Sequence, residues 1–109
     1  MNIDNLTIGE LKSINQLVGK TTSSPYEIGK NYAIRTVTMI DVGRLVDVTD
    51  QELVLEDASW IPDTGRFHEF LQTGKANEVE PFPDGKVIVG RGAIIDGCIW
   101  PFDLPRQTK

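Results

Sequence analysis

Apolar positions along this chain fall into short runs whose period changes from helical to alternating. Ile8, Leu11, Ile14 and Val18 recur at helical spacing, with Leu17 beside them. Ahead of that stripe, Thr7 and Glu10 form a capping box: the threonine side chain accepts from the backbone N–H of Glu10, and Glu10 reaches back to that of Thr7. Gly19 supplies a stop. The pattern predicts a helix over residues 7–18 whose apolar face must be buried on the domain or on a neighbouring subunit. Lys20 to Pro25 has no periodicity and reads as a linker, so the domain proper begins near Tyr26.

Beyond Tyr26 the period becomes that of strands. Tyr32 to Ile40 is rich in β-branched and aromatic residues. Arg44 to Thr49 alternates Leu45 and Asp47 against Val46 and Val48. Glu52 to Glu56 follows after the turn Thr49-Asp50-Gln51, which predicts an antiparallel meander, with Pro62 ending any extension. Thr64 to Phe67 opens a short helix with Phe67, Phe70 and Leu71 on one face and Gly74 at its end. Pro83-Asp84-Gly85-Lys86 is a turn, because Asp-Gly tolerates positive φ. Lys86 to Val89 and Ala93 to Trp100 are the last strands, broken by Gly90-Arg91-Gly92, and an irregular tail begins at Pro101. The expected fold is α+β: a small, mostly antiparallel sheet or barrel, with an N-terminal helix and a short inserted helix. Residues 1–20 form a helical arm suited to oligomerisation, 21–25 a linker, and 26–109 the β-rich domain.

Composition narrows the partners. With 109 residues the chain suits one compact domain, and 39% apolar with 25% charged residues fits a globular protein. No apolar run reaches the ~20 residues of a membrane span. The first residues lack the basic and apolar regions of a signal peptide, and the lone Cys98 cannot form an internal disulfide, so a cytoplasmic location is the default. The net charge is −5, and no basic residue lies between Leu45 and Gly65, where Asp47, Asp50, Glu52, Glu56, Asp57 and Asp63 cluster. Duplex nucleic acid needs a basic track, so it is a poor partner for this surface. A small anion held by two or three arginines fits.

Catalytic patterns are missing. The single histidine, His68, reads as a surface residue, and Cys98, in an apolar strand, as a small buried one. One His and one Cys exclude the usual zinc arrangements. Glu56 and Asp57 are adjacent, so on a regular strand they point to opposite faces and do not act as a pair. Phosphate-loop and dinucleotide fingerprints are absent. The sequence therefore points to binding rather than catalysis, with no metal and no cofactor.

Several features suit binding. Gly90-Arg91-Gly92 reads either as a nest of inward N–H groups with an arginine for phosphate, or as a bulge with an exposed arginine. Arg35 lies mid-strand between Ile34 and Thr36, facing either solvent or a phosphate. Trp60, Phe67, Phe82 and Trp100 belong to the core and its rim or stack on a nucleobase. Asn77 reads a base edge or caps a turn.

From Tyr26 onward the chain resembles small proteins of tailed phages and prophages. Tyr26-Glu27-Ile28-Gly29-Lys30, Ile34-Arg35-Thr36-Val37-Thr38, Leu55-Glu56-Asp57-Ala58, Trp60 through Phe67, Glu78 through Pro83 and Gly90 through Asp96 carry that resemblance. The central order of Arg35-Thr36, Gly43, Leu55, Asp57-Ala58, an aromatic and a short helix is also similar to the first-described anti-Thoeris sponge family of phages. Ser59-Trp60 stands here in place of that family's basic pair. The second resemblance implies a small β-rich oligomer that sequesters a nucleotide immune signal, a cyclic ADP-ribose isomer or a cyclic oligonucleotide, without turnover. It also implies that Arg35, with Phe67 or Phe70, lies near ligand. The candidate ligand-binding set is Arg35, Thr36, Trp60, Arg66, Phe67, Phe70, Arg91 and Trp100. The alternative is a phage accessory or structural module that binds protein through a sheet edge and the N-terminal helix.

Overall fold

A computed structural model describes residues 24–109. The expected N-terminal helix, and the oligomer contact assigned to it, lie outside the described residues. Six strands form one antiparallel sheet: β1 (Asn31–Thr36), β2 (Ile40–Val48), β3 (Glu52–Asp63), β4 (Glu78–Pro81), β5 (Val87–Gly90) and β6 (Ile94–Ile99). One helix, α1 (Phe67–Thr73), lies between β3 and β4, and a 3-10 turn, Arg91–Ala93, joins β5 to β6.

The order is β4-β3-β2-β1-β6, with β5 also on β3. β5 and β6 therefore pair with β3 and β1, two strands apart, yet a single turn of three residues connects them. The sheet must curl until these borders meet, as in a half-closed barrel. Backbone bonds hold the seam: Arg91 N–H donates to Gln51 O (2.8 Å) and Val37 N–H to Ala93 O (3.0 Å).

Both faces of the sheet are covered. Tyr32, Ile34, Leu45, Leu53, Leu55, Ala58 and Val89 pack together in the concave face. Ala33, Val42, Ile61, Phe70, Ala76, Val79 and Trp100 form a second cluster on the other face, beneath α1 and the tail. Gly43 shows how tight the first cluster is. A Cβ there would lie 2.9 Å from the Cβ of Ala58 and 3.1 Å from that of Leu55, so only glycine fits.

Several expectations need correction. Tyr32 to Ile40 is not one strand; it breaks at a turn closed by Thr36 N–H to Met39 O (2.7 Å), and β2 starts at Ile40. Pro62 does not end β3, which runs to Asp63. Glu56 and Asp57 do not point apart. The β2–β3 register shifts between Val42 and Arg44, and Asp57 adopts φ 51°. That bulge turns both carboxylates onto one cation, with Arg44 Nη2 3.3 Å from Glu56 Oε1 and Nη1 on Asp57 Oδ2. Cys98 is exposed, because β6 borders the sheet with only β1 beside it among the described residues. Burial against the sheet still raises its thiol pKa.

α1 ends where the sequence suggests. Gly74 adopts φ 74° and its N–H caps Phe70 O. A Cβ there would also meet the Phe102 ring at 2.6 Å. The tail has no regular elements but is docked. Arg106 donates to Ala58 O through Nη1 and to Phe82 O through Nη2 (3.1 Å), and the Ser59 hydroxyl donates to Pro105 O.

Candidate functional site

The end of the sheet formed by the β1–β2 turn and the end of β3 holds a cavity of about 430 Å³. Arg35 and Thr36 at the end of β1, Met39 and Ile40 at the start of β2, Trp60 to Thr64 on β3 and beyond, and Ile95 on β6 line it. Three of the eight candidate residues thus line one cavity: Arg35, Thr36 and Trp60. Thr36 serves the turn, since its hydroxyl donates to Met39 O and accepts from Met39 N–H, both at 3.0 Å.

Arg35 is held from two sides. Its Nε and Nη2 donate to the two Asp96 oxygens at 3.0 and 2.5 Å. Its guanidinium carbon lies 5.0 Å from the centroid of the Phe67 ring, a cation–π contact. The register explains the first pair: Arg35 and Asp96 face each other across β1 and β6. The hydrogen bond from Arg35 holds the Asp96 carboxyl below its usual range, and the same bond raises the arginine. A guanidinium carries five N–H groups, so Nη1 and one Nη2 hydrogen are not taken by Asp96.

Around that charge stand apolar side chains in solvent. Val37 is 71% exposed and Ile95 60% exposed. Trp60 is half-buried. Arg35 pairs with Ile40 and Trp60 with Asp41, so the cation and the indole line this cavity from opposite faces of the sheet end. A ligand that spans that end meets a charge on one side and a flat ring on the other.

The other candidates are elsewhere. Phe67 touches Arg35 from α1, but Phe70 and Trp100 are core residues, 1% and 2% exposed. They extend an aromatic series inward: Phe67 to Phe70 at 6.1 Å, Phe70 to Trp100 at 5.0 Å, Trp100 to Phe102 at 5.2 Å. The Trp100 indole N–H donates to Asp103 O (3.1 Å) and is not offered to a ligand. Arg91 sits on the 3-10 turn, where Nη1 donates to Thr49 O (2.7 Å) and the guanidinium lies 6.0 Å from the Tyr26 ring centroid. Gly90 has φ −69° and Gly92 no positive φ, and the β3–β5 register has no shift, so this segment is neither a nest nor a bulge with an exposed arginine but a 3-10 turn with Arg91 half-buried. Arg66 and Asn77 line a separate cavity beside α1.

Two features escape sequence reading. The rim of Val37, Met39 and Ile95 looks like ordinary strand composition until the β1–β2 turn, and a shift in the β1–β6 register between Arg35 and Thr36, expose it. Asp41 is the second. It is 5% exposed, lies opposite Ile34 and Trp60, and its Oδ1 has no partner among the described residues. Burial alone pushes its pKa up to about 6. Among the described residues, no three His, Cys, Asp or Glu side chains gather as a metal site, and no helix is long and apolar enough to cross a membrane.

No family model, curated protein or solved structure matches the chain.

Proposed function

We propose that the protein captures a small anionic nucleotide and holds it without turnover in the Arg35–Trp60 cavity. The observation that carries this reading is one cavity of about 430 Å³ at the sheet end, within the range of small-ligand sites, lined by Arg35 on one face of the sheet and Trp60 on the other, with Thr36 at the turn. In this reading Arg35 Nη1 binds a phosphate while Asp96 and Phe67 keep the guanidinium fixed. Trp60 stacks on the base, with Val37, Met39 and Ile95 around it. Pre-organisation lowers the entropy lost on binding, which suits a protein that retains its ligand. Taken with the resemblance to phage sponges, the ligand class is a nucleotide immune signal, a cyclic ADP-ribose isomer or cyclic oligonucleotide. The biological role is viral anti-defence in the cytoplasm of a bacterial host, carried out by a homo-oligomer.

The test compares affinity and melting temperature for Arg35→Gln and Trp60→Ala against a panel of these cyclic nucleotides. Each substitution lowers affinity about ten- to a hundredfold while the fold persists. Unchanged affinity in both variants removes this cavity as the site.

One observation favours a second reading, a protein-binding phage module. β6 has a strand on only one side among the described residues and exposes Ile95 and Ile99. Such an edge pairs readily with a foreign strand. Stoichiometric nucleotide binding separates the two readings, because the module predicts none.

A further inference from the structure

The loops that flank α1 gather three cations away from the Arg35 cavity. Arg66 immediately precedes the helix, and Lys75 follows its Gly74 cap. Lys109 reaches the same place because its backbone pairs with Val79 of β4, at 3.0 Å in both directions. The three side chains share a cleft of about 350 Å³ with Thr64, Asn77 and Glu69. Among the described residues none of the three makes an ion pair, whereas Arg35 and Arg44 both do.

This convergence is notable in a chain of net charge −5. Arg66, Lys75 and Lys109 outnumber the Glu69 carboxylate on this lining, so the side chains there favour an entering anion. The loop is held in shape from within: Gly65 N–H donates to Asp63 Oδ1 at 2.8 Å, and the Asn77 N–H to Asp63 O at 2.9 Å. The Asn77 amide packs against Gly65 and adds a neutral donor to the wall. The wall has no aromatic and few apolar side chains, unlike the Arg35 cavity, so it offers nothing for a base to stack on. Its chemistry matches a compact oxyanion.

We infer that this cleft is a second anion site, which takes a phosphate or pyrophosphate group through Arg66, Lys75 and Lys109. Thr64 lines both cavities, so the two sites adjoin. The inference does not depend on the role of the Arg35 cavity.

The experiment titrates inorganic pyrophosphate into the full chain by calorimetry at low and near-physiological salt. The unsubstituted protein binds it, more weakly as salt rises. Arg66→Gln combined with Lys75→Gln weakens binding about tenfold or more, and Lys86→Gln, at an exposed lysine outside both cavities, leaves it within about twofold. Glu69→Gln removes the one acidic side chain on the wall and strengthens binding, a gain that misfolding does not produce. Three results overturn the inference: no binding at millimolar pyrophosphate, equal binding by the double variant, or as large a loss in Lys86→Gln as in the double variant. Failure of the Arg35 cavity as a nucleotide site shows separately, in the nucleotide affinities of Arg35→Gln and Trp60→Ala.

Discussion

Replacing Asp41 with Asn should stabilise the protein at neutral pH and leave it nearly unchanged at pH 4. Asp41 is 5% exposed, with an Oδ1 that accepts no hydrogen bond from any described residue. Desolvation moves its pKa from 3.8 to about 6. A carboxyl group whose folded pKa lies above its unfolded value favours the native state most when protonated. The contribution is therefore fully present below pH 4, declines as pH rises toward 6, and is lost above it. A shift of about two units, at about 1.4 kcal/mol each, sets an upper bound near 3 kcal/mol. Water entry and local relaxation reduce this, so we expect about 1–2 kcal/mol. The assay is urea unfolding of both proteins from pH 4 to 8. The difference between them cancels every other titrating group that they share. It should widen between pH 4 and 6 and then stay flat. A difference that does not vary with pH would refute the reasoning and mean that Asp41 finds a partner in solution. Asp41 lies opposite Trp60 and next to Ile40, both of which line the Arg35 cavity, so the unpartnered carboxyl sits beside the proposed site.

Other substitutions test the packing. Gly43→Ala drives a methyl group against Ala58 and Leu55 and should destabilise by about 1–3 kcal/mol in urea melts. Phe70→Ala should cost about 3–5 kcal/mol, in keeping with a core rather than a ligand role. Arg106→Ala removes two hydrogen bonds to carbonyls, lowers the melting temperature, and makes the C-terminal tail more susceptible to protease.

Much of the fold is legible in the sequence because turns and caps have local chemistry. Asp84-Gly85 forms its turn with Gly85 at φ 80°, and Gly74 ends α1. The meander of β2 and β3 follows from alternation around Thr49-Asp50-Gln51. Orientation is harder to read. Both faces of the sheet are covered, so Tyr32, Ala33 and Ile34 are all buried, and period two no longer separates inside from outside. For the same reason Phe70 and Trp100 look like candidate stacking residues until α1 and the tail close over them. The bulge has no glycine on β3 itself, and the glycine opposite it, Gly43, lies on another strand, so the joint capture of Glu56 and Asp57 by Arg44 is invisible along the chain. β6 has core-like composition yet borders the sheet, which leaves Cys98 and Ile99 exposed. The Arg35–Asp96 pair spans 61 positions and appears only once β6 returns beside β1.

The most direct test of the central claim is capture and recovery of the ligand. Purified protein is mixed with a cyclic ADP-ribose isomer or a cyclic oligonucleotide, freed of unbound nucleotide, and heated. The account predicts a stoichiometric amount of chemically intact nucleotide released on denaturation, and about tenfold less or lower with Arg35→Gln. Release of a cleaved product, or recovery of no nucleotide from the whole panel, would contradict it.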